Sequence, residues 1–183
     1  MNTYKKFVSD LAKGHVDRVF LNSDEEHALI VFANLFKTAK DTIRIFAGCL
    51  CEHVGNESEY IEAISDFIER NGKIRILLNK FNENLIRESN LFKRLAYYKS
   101  EGHDIIIKKT TARFHLTKEP QKEVHFTVVD EIGYRIETDI EERTAECNFN
   151  SPALAKSIAN SFDETFNSEH SELIDINKII NGN

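Results

Sequence analysis

Apolar positions along this chain recur with two periods, near 3.6 and near 2 residues, and the segments they mark alternate. Residues 16–21 read as a short strand. Ser23-Asp24-Glu25-Glu26 has the form of a capping box, with the Ser23 hydroxyl accepting from the amide of Glu26. The helix it opens carries Ala28, Leu29, Val31, Phe32, Leu35 and Phe36 on one face, with Lys37 and Lys40 suited to the negative pole of its dipole. Residues 42–47 (Thr-Ile-Arg-Ile-Phe-Ala) alternate and are rich in β-branched side chains, which predicts a strand that Gly48 ends. A helix over 58–71 stops at Asn71-Gly72, and a strand follows at 73–78. A third helix, 83–100, runs to Gly102 and precedes a strand at 103–108. Residues 123–129 and 133–137 read as a hairpin turning at Asp130-Glu131-Ile132. Ser151-Pro152 then opens a long helix that turns Leu154, Ala155, Ile158, Phe162 and Phe166 to the core.

The order β-α-β-α-β-α-β-β-β-α predicts an α/β fold with a mixed, mostly parallel sheet and helices on both faces. The domain spans 23–167. Residues 1–22 join it as an N-terminal segment, and 168–183 form a tail with a short helix through Leu173, Ile174, Ile176, Ile179 and Ile180. At 183 residues, 41% hydrophobic and 30% charged, the chain has the composition of a globular domain. No apolar run approaches the roughly 20 residues of a membrane span. Met1-Asn2-Thr3-Tyr4-Lys5-Lys6 is not followed by the apolar core of a signal peptide, so the expected location is the cytoplasm, with no membrane partner. Three cysteines, Cys49, Cys51 and Cys147, an odd number, predict reduced thiols there.

A formal net charge of −6 gives no global field that attracts nucleic acid. The one basic concentration, Lys108, Lys109 and Arg113 with His115 and Lys118 nearby, has the residue types that grip phosphates, and makes nucleic acid a candidate partner; the same residues also suit a solvated loop. Glu123, Glu137, Asp139, Glu141 and Glu142 offer oxygen ligands to a divalent cation, or pairs to Arg135 and Arg143. Cys49-Leu50-Cys51-Glu52-His53 offers soft ligands but lacks the C-x2-C spacing of structural zinc sites, so no metal and no cofactor are assigned. There is no glycine-rich phosphate loop and no G-x-S-x-G serine.

Residues 28–78 carry an Ala39-Lys40 helix end, the strand Ile43-Arg44-Ile45-Phe46 and the later strand Lys-Ile-Arg-Ile-Leu-Leu. Glu123-Val124-His125-Phe126-Thr127-Val128-Val129-Asp130 follows, and then a closing helix with a late Phe166. Over about residues 20–167 this resembles one half of a domain of the phospholipase D/nuclease superfamily, with the 123–130 stretch standing where that family's HxKxxxxD signature belongs. The resemblance implies a site in which one histidine attacks phosphorus, a second protonates the leaving oxygen, and lysines hold the nonbridging oxygens. It also implies a homodimer, because single-motif members bring two motifs together across a two-fold axis.

With Asp130 at the aspartate position, Glu123 replaces the histidine and His125 replaces the lysine. Glu137-Thr138 stands where a Gly-Ser segment helps to form the phosphate site, and the second carboxylate again opposes an anion. A second register makes His125 the histidine, with Thr127 and Ile132 at the other two positions. Both registers leave the motif incomplete. The expected function is therefore a catalytically degenerate binding or assembly module, of the kind found in bacterial defence or nucleic-acid processing. Its alternatives are a phosphodiesterase using Glu123 and His125, which project to one face if they share a strand, and a sensor of anions or small ligands in the old phosphate pocket.

Overall fold

The computed structural model describes residues 3–51, 53–116, 119–140, 142 and 144–182. Seven helices are seen among them: α1 (Thr3–Lys13), α2 (Glu25–Thr38), α3 (Ser58–Glu69), α4 (Glu83–Glu88), α5 (Asn90–Ser100), α6 (Pro152–Phe166) and α7 (Ile176–Asn181). Eight strands form the main sheet: β1 (Phe20–Asn22), β2 (Thr42–Ala47), β3 (Lys73–Leu78), β4 (Ile105–Thr110), β7 (His125–Val129), β8 (Gly133–Asp139), β9 (Thr144–Asn148) and β10 (Ser171–Leu173). Between β4 and β7 the chain makes a separate two-stranded ribbon, β5 (His115–Leu116) with β6 (Glu119–Glu123).

The sheet order is β1-β9-β8-β7-β2-β3-β4-β10. It is mixed, with helices on both faces, as the pattern predicts. The predominance of parallel pairing is corrected: only β2-β3 and β3-β4 are parallel, and the other five pairings are antiparallel. The reason is connection length. Helical crossovers link β2, β3 and β4, whereas β7-β8 and β8-β9 are joined by turns too short to do anything but reverse the chain.

The two faces of the sheet are filled by alternate residues of the same strands. Ile43, Ile45, Ile74, Ile76, Leu78, Ile105 and Ile107 face α2, α3 and α5, with Val8 and Leu11 of α1 and Ile176 of α7 joining the same core. Phe46, Leu77, Phe126, Val128, Tyr134 and Ile136 face α6 through Ala155, Ala159, Phe162 and Phe166. Leu154, expected in that core, is 40% exposed. Arg44, on the α6 face, makes a two-pronged ion pair with Asp163, both contacts at 2.8 Å.

Helix boundaries follow local chemistry, with two revisions. The N-cap of α2 is Asp24, whose carboxylate accepts from the His27 amide at 2.7 Å, so the cap lies one residue beyond Ser23. The helix expected over 83–100 breaks at Ser89, which caps α5 through the Phe92 amide. Asn71 adopts φ +64 after α3, the stop expected there. A side chain at Gly72 would collide with the Phe67 ring at 2.2 Å. Of the flanking residues, α1 packs on α2, β10 extends the sheet beside β4, and α7 packs on α5.

One turn links the two halves of the sheet. Asp130 and Glu131, at φ +51 and +56, make the tight reversal between β7 and β8. The Asp130 carboxylate then accepts from the backbone amides of Lys40, Asp41 and Thr42 at 2.6, 2.9 and 2.9 Å. The Asp130 amide in turn donates to the Thr42 carbonyl at 3.0 Å. Asp130→Ala strands three donors and is expected to lower unfolding free energy by about 2–3 kcal/mol, with Asp130→Asn losing less. Urea denaturation measures this, and a change in Asp130→Ala below about 0.5 kcal/mol would contradict the role assigned.

Candidate functional site

Strand pairing places His125 and Glu137 at the end of β2. His125 opens β7 and lies directly opposite Glu137 of β8, while Thr127 lies opposite Arg135. All four point to the same face as Ile45 and α2. The Phe126 and Tyr134 side chains belong to the other core. Glu123 does not share a strand with His125: it ends β6, and Val124 carries the chain from the ribbon into the main sheet. The two side chains nevertheless meet.

Glu123 Oε1 stands 3.8 Å from His125 Nε2, and Glu137 Oε2 stands 3.5 Å from Nδ1. Neither contact is a hydrogen bond by geometry. Asn79, just past β3, donates its side-chain amide to Glu123 Oε1. The continued pairing of Asn79 and Lys80 with Ala47 and Gly48, at 3.1 Å each, fixes that segment beside the histidine. Gly48 lies close to the histidine: a Cβ there would make ordinary van der Waals contact with the imidazole at 3.5 Å and with the Lys80 stem at 3.6 Å.

Behind His125 the charges are buried and paired. Arg135, 5% exposed, reaches Glu137 Oε1 at 3.4 Å and Asn22 Oδ1 at 3.1 Å, with Phe32 stacked at 4.8 Å from its guanidinium carbon. A buried guanidinium needs such partners. A cavity of about 600 Å³ opens in front, with His125, Glu137, Arg135, Lys80 and the aromatic rings of Phe32 and Tyr60 in its walls. Among the described residues, His125 Nε2 and the wholly buried Tyr60 hydroxyl have no hydrogen-bond partner. Burial pushes the Tyr60 pKa up, and the Arg135 charge pulls it partly back.

The remaining predicted residues lie elsewhere. Asp130 is a backbone clamp at the opposite end of β2. Thr138 donates to the Thr144 carbonyl at 3.4 Å, and Asp139 pairs with Lys122 at 3.0 Å. The basic cluster does not converge. Lys108 donates to the Phe166 carbonyl at 2.6 Å, Lys109 pairs with Glu172 at 2.8 Å, and Arg113 is 3.8 Å from Glu123. Alternation along β4 sends the two lysines to opposite faces. Glu52, Lys118, Glu141 and Arg143 lie outside the described residues.

The expectation of reduced thiols is corrected at Cys49 and Cys51, which form a disulfide in the cavity wall. Leu50 between them has φ +59, which brings their Cα atoms to 5.2 Å, within bonding range. Cys147 is free and buried on β9, and burial pushes its thiol pKa up to about 12. No group of three or more His, Cys, Asp or Glu side chains is arranged to hold a metal among the described residues. Sequence reading named Arg135 as a pair for the acidic cluster, as Glu137 shows, but missed Asn79, Lys80 and Tyr60, which join the site only through strand pairing and helix packing. No helix among the described residues is long and apolar enough to cross a membrane.

No protein-family model matches the sequence, and no curated protein matches it significantly. Solved structures do. Nuc from Salmonella typhimurium, a phospholipase D family member, superposes with a TM-score of 0.58 at 14% identity, over 87% of this chain and 99% of its own. The fold is phospholipase D-like. NucT from Helicobacter pylori gives a TM-score of 0.54 at 9% identity, over 87% of this chain and 100% of that one. The archaeal chromatin protein TrmBL2, whose structure shows a novel mode of DNA binding, gives a TM-score of 0.65 at 16% identity, over 93% of this chain and 61% of its own.

Two outcomes check the site. Glu137→Gln removes the charge facing buried Arg135 and is expected to cost about 3 kcal/mol, partly recovered in Arg135→Met/Glu137→Gln; equal losses in the two variants would refute the pairing. Iodoacetamide near pH 8 should modify no cysteine of the native protein, Cys49 and Cys51 after mild reduction, and Cys147 only after unfolding. Labelling of Cys147 in the unreduced native protein would contradict its burial.

Proposed function

We propose that this phospholipase D-like chain is a binding or assembly module that does not hydrolyse phosphodiesters by histidine attack. The observation that carries this reading is the pair of carboxylates, Glu123 and Glu137, standing within 4 Å of the two His125 nitrogens. A phosphoryl group approaching the imidazole would meet two anions. The nearest buried cation, Arg135, is already engaged by Glu137. Transition-state stabilisation needs positive charge or donors aimed at the developing oxyanions, and here the nearest side chains have the opposite sign. The cavity itself is retained, so a ligand of other chemistry has room. The resemblance to single-motif members further suggests a homodimer, in which two copies of this face meet across a two-fold axis.

One feature favours an altered hydrolase as the second reading. Glu137 lies beside Nδ1, and Nε2 has no hydrogen-bond partner, an arrangement that suits a histidine general base. Assays on bis(p-nitrophenyl) phosphate and on plasmid DNA, with magnesium, manganese or EDTA, separate the two. The proposal expects no turnover above blank in any condition, in wild type or His125→Ala. Cleavage by wild type that His125→Ala abolishes overturns it in favour of the hydrolase. Light scattering on the eluting protein should give twice the 21.1 kDa chain mass, and a monomer at every concentration rejects the homodimer.

A further inference from the structure

Cations left free by the fold collect away from the motif, in a groove of about 530 Å³ where α1 and α2 end and α3 gives way to β3. Lys13, Lys37, Lys40 and Arg70 line it, and no acidic side chain does. In a chain of net charge −6 this is an unusual concentration. Lys13, Lys37 and Lys40 are exposed, and among the described residues none of them forms an ion pair. The nearby carboxylates are spent on other partners: Asp10 on Lys6, Asp41 on Lys73, and Asp130 on backbone amides.

Helix C-termini attract lysines, and three such termini lie here. Many of their end carbonyls, however, already have other donors. Arg70 donates to the carbonyls of Phe36 at 2.9 Å and Asp66 at 3.0 Å, and the Thr38 hydroxyl takes that of Asn34 at 3.0 Å. Backbone amides of Gly14, Val16 and Ala39 close the last turns of α1 and α2. The macrodipoles leave roughly half a negative charge at each terminus. Three whole ammonium charges plus Arg70 exceed that, so the groove stays positive.

Its other walls say what kind of anion fits. Ser9, Asn34 and Thr38 line the groove, together with small Ala12 and Ala39. Lysine, arginine, serine, threonine and asparagine are the side chains that contact phosphate oxygens of nucleic acids. Protein interfaces are depleted in lysine and anchored by large aromatic or apolar residues, and apart from the His15 imidazole no ring or large apolar side chain lines this groove. We infer that the groove around Lys13, Lys37 and Lys40 is a nucleic-acid backbone-binding surface, sequence-independent and set apart from the His125 cavity. Strand β2 separates the two, with Thr42 at the groove end and Ala47 at the cavity, about 17 Å of extended chain. The inference requires no activity at His125, and it replaces the Lys108–Arg113 cluster as the nucleic-acid contact.

Fluorescence anisotropy with a labelled 30-base-pair duplex of arbitrary sequence tests this across a salt series. Wild type should bind in the micromolar range at low salt. Lys13→Gln/Lys37→Gln/Lys40→Gln should bind at least about tenfold more weakly, with the log–log salt slope shallower by about 2–3. Arg70 is left in place because it caps two helices. The matched control Lys93→Gln/Lys156→Gln/Lys178→Gln makes the same charge change on other faces and should keep most of the affinity. Circular dichroism melts confirm that both triple variants fold. Absence of duplex binding by wild type overturns the inference, as does equal weakening by the two triple variants. Equally tight, Lys13/Lys37/Lys40-dependent binding of a poly-glutamate peptide overturns the nucleic-acid assignment in favour of an acidic protein partner.

Discussion

The Asp130 carboxylate receives three backbone amides at the point where α2 gives way to β2, and the order of the whole sheet turns on that contact. Strands β2, β3 and β4 form a parallel unit built by helical crossovers. Strands β7, β8 and β9 form an antiparallel unit built by turns. Among the described residues only the β2-β7 ladder joins them, with Ile43 opposite Val129 and Phe46 opposite Phe126. Asp130 locks the end of that ladder, so the register that brings His125 to the end of β2 is held from the far side of the strand.

That register also decides the electrostatics of the cavity. Placing His125 opposite Glu137 and Thr127 opposite Arg135 buries a cation and an anion side by side. Burying either alone would be costly, so each is kept by the other. The histidine then inherits a carboxylate neighbour as a consequence of sheet pairing. The ribbon of β5 and β6 delivers a second, Glu123, from another direction. A fold shared with Nuc and NucT thus surrounds its central histidine with negative charge.

Charge is distributed unevenly outside the cavity as well. Cations that look clustered in the chain, such as Lys108 and Lys109, are separated by the alternation of β4 and tied to Phe166 and Glu172. Cations that are far apart in the chain, Lys13, Lys40 and Arg70, meet where three helices end. The sheet therefore has a mixed-charge cavity at one end of β2 and a positive groove at the other.

Local chemistry made much of the architecture readable from the sequence alone. The strands at 42–47 and 73–78, the amphipathic helices, the left-handed stop at Asn71 and the turn at Asp130 follow from periodicity and from residues with specific backbone preferences. Glu123 and His125 were singled out by the resemblance to the phospholipase D/nuclease superfamily and not by periodicity. The strand expected at 16–21 is found as β1 at Phe20–Asn22. Other features were beyond that reading for physical reasons. The edge strand β10 and the charged strand β9 are strands because neighbours offer them hydrogen bonds, which periodicity does not encode. The Cys49–Cys51 bond depends on one left-handed residue, Leu50. Arg135, Asn79, Lys80 and Tyr60 reach the cavity through pairings across tens of residues, and Lys13, Lys37, Lys40 and Arg70 reach the groove through helix packing. Sequence determined which side chains were present and which elements carried them; tertiary structure decided which charges meet, because register and packing, unlike propensity, are properties of residues distant in the chain.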